Sequence, residues 1–250
     1  MKTKLKPILL AITATLSSQA IAAELEPVIV EADFRPTQVD KSTSSVTIIN
    51  DAAIAKKNAQ HIEQVLSSTA NVNAAAGASR SRYFQIRGIG ERSQFSTPLN
   101  PSVGIFIDGI DYSRVGNAGT LFDVQQVEVL KGPQGTAFGS SSLAGTINIK
   151  SNEATDAPAA RVQTTIGSRN TADIGVMLNG PLSEELVGRI SLYKHTSDGN
   201  IKNNFLDKTN TQKEDEVTAK ANLKWQANDK LSFDLNLIGI DINNGYDAFS

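Results

Sequence analysis

The stretch Val127-Glu-Val-Leu-Lys-Gly-Pro-Gln-Gly-Thr-Ala-Phe-Gly-Ser-Ser-Ser-Leu-Ala-Gly-Thr-Ile-Asn-Ile-Lys150 decides the fold. An apolar run through Val127, Val129 and Leu130 precedes a crossing that holds Gly132, Gly135, Gly139 and Gly145, and Ile147 and Ile149 follow it. This spacing predicts two short strands joined by a glycine-rich passage, with the glycines serving as backbone devices where the chain crosses tightly. No catalytic side chain lies in it. Upstream, Pro101-Ser-Val-Gly-Ile-Phe-Ile-Asp-Gly-Ile-Asp111 reads as a hairpin turning at Asp108-Gly109, a type I′ pair, and Gln85-Ile86-Arg87-Gly88 precedes it.

In order and spacing these segments resemble the plug domain of TonB-dependent outer-membrane receptors, and the likeness covers most of residues 40 to 150. The resemblance implies an α+β plug, a small mixed sheet with short helices, followed by antiparallel strands of a transmembrane β-barrel. It further implies active import of a scarce ligand across the outer membrane of a Gram-negative bacterium. A ferric siderophore is the first choice of cargo, and haem and cobalamin are the alternatives. The implied partners are TonB with its inner-membrane motor complex (ExbB, ExbD), a small iron chelate and outer-membrane lipid. No covalently bound cofactor and no nucleic acid are expected.

The ends of the chain and its composition agree with export. Lys2, Lys4 and Lys6 precede an apolar run from Ile8 to Leu16, and Ala20-Ile21-Ala22 has the small-x-small form of a cleavage site, so residues 1–22 read as a signal peptide. The run is too short for a membrane anchor, which needs about 20 residues. There is no cysteine, hence neither a disulfide framework nor a thiolate site. The formal charge of -2 becomes about -5 once the three signal lysines are removed, which argues against a nucleic-acid footprint. No apolar run reaches 18 residues, which excludes a helical membrane protein but not a barrel.

Residues 23–44 read as an extended, largely unstructured tether containing Pro27, Pro36 and a Ser/Thr cluster. Within it, Val28, Ile29 and Val30 form a β-branched run with no neighbour close in sequence to pair with. The resemblance implies that Glu26, Pro27, Val28, Ile29 and Val30 are a TonB box, a strand to which the periplasmic energy transducer adds its own. An ordinary N-terminal edge strand is the plain alternative. The box would start within a few residues of the cleavage site, which argues against an extra signalling domain ahead of it.

Residues 45–152 predict one modest core. A strand over Val46 to Ile49, a helix over Asp51 to Lys57 capped by Asn50 and a second helix over Gln60 to Ser67 lead it. Strands follow near Tyr83–Arg87, Val103–Ile107, Ile110–Tyr112, Gln126–Leu130 and Gly145–Ile149. By the resemblance, Arg87, Tyr112, Ser113 and Arg114 lie at the plug apex near the ligand. Glu128 and Lys131 meet the barrel wall, although lysine lacks the fork that arginine, commoner there, would bring.

From 159 to 250 the pattern changes to longer alternating segments. Ile174, Val176 and Leu178 alternate with Asp173, Gly175, Met177 and Asn179. Val217, Ala219, Ala221, Leu223 and Trp225 alternate with Thr218, Lys220, Asn222 and Lys224, and Leu231 to Leu237 repeat the pattern. This suits a wall between lipid and a wet lumen, with short turns at Gly180–Glu185 and Ala227–Asp229 and a long polar connection from Thr196 to Glu214. A soluble sandwich whose apolar faces meet is the alternative. About five strands are present, fewer than the eight of the smallest bacterial barrels, so the sequence reads as the N-terminal piece of a longer receptor.

Other chemistry is absent from the motifs. Gly88-Ile89-Gly90 lacks the third glycine of a dinucleotide loop, no Gly-Lys-Ser/Thr follows Gly132 or Gly135, and Ser140 to Ser142 do not make a nucleophile elbow. His61 and His195 stand too far apart in sequence to suggest a metal pair and read as structural. No enzyme is expected. A passive porin, a secreted β-rich binding protein and a non-functional truncated product are the remaining rivals.

Overall fold

The computed structural model describes residues 29–30, 36–75, 80–93 and 95–245. It opens with two short strands, β1 (Ile29–Val30) and β2 (Thr37–Gln38), paired antiparallel, and a single 3-10 turn over Val39–Lys41. The expectation of a largely unstructured tether is corrected for these residues. Ile29 and Val30 do have a neighbour close in sequence, Gln38 lying opposite Ile29 and Thr37 opposite Val30. Glu26, Pro27 and Val28, and the expected signal peptide, lie outside the described residues.

β3 (Ser45–Asn50) runs directly into α1 (Asp51–Lys56). There the Asn50 Oδ1 accepts the Ala53 N–H at 3.0 Å, with an acid in the first turn and a lysine in the last. α2 (Ile62–Leu66) buries Ile62, Val65 and Leu66 and starts with a capping box. In it the His61 Nδ1 accepts the Glu63 N–H while the Gln64 Oε1 accepts the His61 N–H. β4 (Val72–Ala75) and β5 (Tyr83–Ile86) pair as a separate hairpin. β4 escaped the sequence reading because Val72 is the one branched apolar residue in it.

β6 (Val103–Ile107) turns through Asp108 and Gly109, at φ 50° and 81°, into β7 (Ile110–Asp111), as a type I′ turn requires. β8 (Val124–Lys131), a single helical turn α3 (Gly135–Phe138) and β9 (Gly145–Ser151) complete a mixed sheet of order β3-β8-β9-β6-β7, in which only β6 and β9 run parallel. Valines and isoleucines of these strands pack against α2, Phe84 and Ile86 in one apolar core. At Gly145 a Cβ would sit 2.4 Å from the Leu130 carbonyl oxygen, so the crossing closes there only with glycine.

Five longer strands follow in consecutive antiparallel order: β10 (Ala159–Ile166), β11 (Ala172–Pro181), β12 (Leu186–Ser197), β13 (Glu214–Asn228) and β14 (Leu231–Ile242). Along β11 the residues Asp173, Gly175, Met177 and Asn179 are buried, while Ile174 and Leu178 are about half exposed at 51% and 50%. Ile190, Leu192, Phe233, Leu235 and Leu237 are exposed in the same way. The long sheet thus lays its polar face on the mixed sheet and turns its apolar face outward. A sandwich of meeting apolar faces is ruled out by that arrangement, and among the described residues the sheet stays open, with β10 and β14 at its edges.

Candidate functional site

The two sheets meet through side chains that each supplies in turn. Phe122 stacks on Tyr193 with centroids 5.1 Å apart and fills the notch left by Gly175, where a Cβ would lie 2.4 Å from the ring. Next to it Asp123 accepts two bonds from Arg189, at 2.9 Å from Nε and 2.5 Å from Nη2. The Lys220 Nζ donates to the Phe122 carbonyl and to the Ser151 Oγ. Beyond β9 the connection to β10 is stitched to the same wall. Glu153 pairs with Lys150 and Lys224, the Asn222 Oδ1 accepts the Ala154 N–H, and Asn179 bonds Thr155 and Ala157.

The most charged part of the interface centres on Arg80, whose side chain is 3% exposed. Its Nε donates to Glu216 at 2.8 Å, its Nη1 to Glu63 at 3.0 Å, and its Nη2 lies 3.3 Å from Glu214. Glu214 reaches the His195 Nε2 at 3.0 Å, His195 Nδ1 pairs with Asp173 at 2.5 Å, and Asp173 accepts from Gln60 at 2.6 Å. One guanidinium therefore joins a helix of the mixed sheet's layer to two residues of β13 in the wall. Burial opposes charge on Arg80, but Glu216, Glu214 and Glu63 outweigh it and hold the guanidinium protonated more firmly than usual.

Burial, with Arg80 nearby, keeps the His61 imidazole below its usual 6.5. The unfolded chain binds a proton there at a pH where the folded one does not, so this contribution is whole above pH 6.5 and declines as the pH falls. The slope is at most about 1.4 kcal/mol per pH unit. Urea midpoints measured from pH 7 down to pH 5 are expected to fall, and His61→Asn, which keeps a capping side chain, is expected to flatten that decline. Glu63 titrates below 4.5 because, against burial, His61, the Ser81 N–H and Arg80 favour its charge, so its loss belongs to a more acidic window.

The residues expected at an apex are not brought together. Arg87 sits at φ 54° in the exposed turn after β5, its N–H bonded to Asn71 O. Arg114 is tied to the opposite end of that strand, where its carbonyl accepts the Arg82 Nε at 2.7 Å. About 15 Å of extended chain separates the two ends. Tyr112 and Val115 share a cavity of about 380 Å³ with Ile238, Ile240 and Ile242. Ser113 is turned inward: it is 1% exposed, its Oγ accepting the Ile105 N–H and bonding Asp111, so it closes the hairpin rather than facing a ligand.

The long connection between β12 and β13 marks one end of the wall. Arg80, beside the first residue of β13, and Tyr112, beside the last residues of β14, lie toward it. Glu128, expected against the wall, is instead buried inside the mixed sheet, where Gln126 and Asn148 donate to it at 2.6 and 3.1 Å. Lys131 is half-buried at the far end of β8, opposite Ser45 and Gly145.

Residues 38–146 match the family described as the TonB-dependent Receptor Plug Domain. This chain carries a TonB-dependent receptor plug domain. The chain is similar to the pesticin receptor of Yersinia pestis, at 32% identity over 119 residues, 47% of this chain and 17% of that protein. It is also similar to the catecholate siderophore receptor Fiu of Escherichia coli, at 28% over 192 residues, 68% of this chain and 24% of that one. The chain thus spans less than a quarter of the length of these curated relatives.

Among solved structures, the ferric yersiniabactin uptake receptor FyuA from Yersinia pestis superposes with a TM-score of 0.64 at 23% identity, over 74% of this chain and 29% of that one. The ferripyoverdine receptor of the Pseudomonas aeruginosa outer membrane gives 0.72 at 18%, over 86% and 28%. At those identities the likeness is one of fold: a plug followed by the first antiparallel strands of a barrel. The family is one of receptors, not enzymes. Sequence reasoning about the plug missed Arg80, Arg82, Asp123 and Gln126, and the one signal available was the paired arginines of Ser79-Arg80-Ser81-Arg82.

Proposed function

We propose that the complete protein imports a ferric siderophore across the outer membrane, drawing on TonB and its ExbB–ExbD motor through the segment Glu26 to Val30. The observation that supports this most is the inverted long sheet, apolar outside and polar against the plug, since such a wall suits lipid on one side and a plugged lumen on the other. The relatives named for catecholate siderophores, ferric yersiniabactin and ferripyoverdine favour a ferric chelate over haem or cobalamin. Arg82 and Arg114, near the long-connection end of the wall, suit an anionic chelate. Tyr112 and the isoleucines beside it offer an apolar flank. Arg87 serves such a ligand less directly, from the opposite end of β5.

Iron-starved cells carrying the complete gene, given labelled ferric catecholates, ferric pyoverdine, haem and cobalamin, are expected to take up one of the ferric chelates. That uptake is expected to fall to background when TonB is absent or residues 26–32 are deleted. Uptake of haem or cobalamin alone overturns the cargo. Uptake indifferent to the deletion fits a passive porin, and recovery of the full-length protein from the soluble periplasm fits a secreted binder.

A further inference from the structure

We infer that the space between the loop 112–118 and the lumen face of β14 is a ligand subsite for a flat apolar ring, and that the cargo is accordingly a ferric chelate bearing aryl groups. The inference deepens the proposed import of a ferric chelate and rests on it. Beside this space the lumen face of β13 is polar, with Thr218, Lys220, Asn222 and Lys224, and Asp234 and Asn236 of β14 both accept bonds from the Asn222 amide. The next residues on that face of β14 are Ile238, Ile240 and Ile242, opposite Lys220, Thr218 and Glu216. Ile238 reaches the plug core together with Tyr112. Ile240 and Ile242 carry the apolar face on toward the long-connection end of the wall, about 7 and 14 Å further along the strand.

Contact with the loop explains why the strand turns apolar here, but the loop does not fill the space. At other points along the boundary the sheets meet by direct pairs, Asp123 with Arg189, Glu153 with Lys224 and Arg80 with Glu216. Between Tyr112, Val115 and the isoleucines a cavity of about 380 Å³ stays open. A seat formed for stability packs to the density of an organic crystal, and an apolar cavity of about 150 Å³ already accepts benzene. The loop is fixed from behind. The Tyr112 N–H donates to the Ile105 carbonyl at 2.7 Å, the Arg114 carbonyl accepts from Arg82, and at Gly116 a Cβ would lie 2.4 Å from the Arg82 carbonyl oxygen. Val115 is nevertheless 45% exposed, so one wall of the cavity is both rigid and uncovered, the condition for binding with little ordering cost.

Charge at the rim selects the occupant. Arg114, exposed, stands between Tyr112 and Val115 in the loop, with Arg82 bonded to its carbonyl. A ring that is apolar on its faces and carries phenolate or catecholate oxygens at one edge satisfies both features. Its faces lie against Tyr112 and the isoleucines, and its oxygens, negative and bound to iron, meet the positive charge of the arginines. A chelate built only of hydroxamates or carboxylates offers the isoleucines nothing, and its polar groups would be desolvated there without hydrogen bonds in return.

The test titrates the complete receptor in nanodiscs with the iron complexes of a tris-catechol and of a phenolate–oxazoline ligand, with ferric dicitrate and ferrioxamine, which have no aryl group, and with haem and cobalamin. The wild type is expected to bind at least one aryl complex roughly tenfold or more tightly than ferric dicitrate or ferrioxamine. Ile240→Asn, which extends the polar pattern of Asp234 and Asn236, is expected to weaken that binding roughly tenfold. Ile240→Phe, which fills the cavity, is expected to weaken it as much, while the urea midpoint for protease sensitivity of the plug holds or rises. A gap of merely structural origin would give the same stability with no change in binding. Preference for ferric dicitrate or ferrioxamine, or unchanged aryl binding in either Ile240 variant, overturns the subsite and leaves ferric-chelate import in place. Binding of haem or cobalamin and of none of the iron chelates removes the import reading, and the subsite with it.

Discussion

Arg80→Ala in the complete protein is expected to destabilise the seating of the plug by about 3–5 kcal/mol. The side chain is almost wholly buried and is the shared cation of Glu63, Glu214 and Glu216. Removing it leaves three carboxylates without their shared cation: Glu63 and Glu214 are partly exposed and can be hydrated in part, whereas Glu216, with 4% of its side chain exposed, cannot and loses most. The Asn244 amide at 2.7 Å remains, but a neutral donor cannot offset an uncompensated buried charge.

Arg80→Lys is expected to recover only part of the loss, because an ammonium cannot span the three acids in the fixed geometry of a guanidinium. Adding Glu216→Gln to Arg80→Ala is expected to relieve part of the penalty, a non-additivity that a merely steric defect would not show. The readout is the urea concentration at which the plug becomes protease-sensitive while the barrel remains folded. A midpoint unchanged in Arg80→Ala contradicts the assignment.

Ile190→Lys is expected to cost about 2–4 kcal/mol for insertion into lipid, and Ile190→Val almost nothing. Ile190 lies in the middle third of β12 on the outward face, 54% exposed, flanked by Leu178 across the β11 pair and Ala221 across the β13 pair. On a soluble protein a lysine at such a position would be close to neutral, within about 0.5 kcal/mol, since exposed sites tolerate charge. Folding the complete protein into lipid vesicles against a urea gradient measures the difference. A neutral result places water, not acyl chains, against the apolar stripe.

How much of this was legible in the sequence depends on how far each residue's partner lies along the chain. The outward and inward faces of β11 to β14 could be read because a strand alternates whatever its neighbours are, and the Asp108-Gly109 turn could be read because a type I′ pair carries its own geometry. Even so, the inner face of β14 changes from Asp234 and Asn236 to Ile238, Ile240 and Ile242 where it meets Tyr112, a change that only the neighbouring loop explains.

Arg80 was not legible, because Glu216 lies 136 positions away and the sequence gives no sign of the pairing. Glu128 was noticed as a charge in an apolar strand and assigned to the wall, yet it accepts bonds from residues two and twenty positions away in the same sheet. Ser113 follows a hairpin and looked available. The Ile105 N–H needed an acceptor, and the hydroxyl turned inward to supply it.

The seat of the plug has an inheritance of its own. Asp123 finds Arg189, Glu153 finds Lys224, and Arg80 finds Glu214 and Glu216, so each of these donors and its acceptor are encoded in one continuous run of the gene. A recombination joining this run to a different remainder would carry these pairs with it, intact. Cargo preference could then diverge through later strands and loops while these contacts between stopper and wall passed unchanged from one receptor to the next.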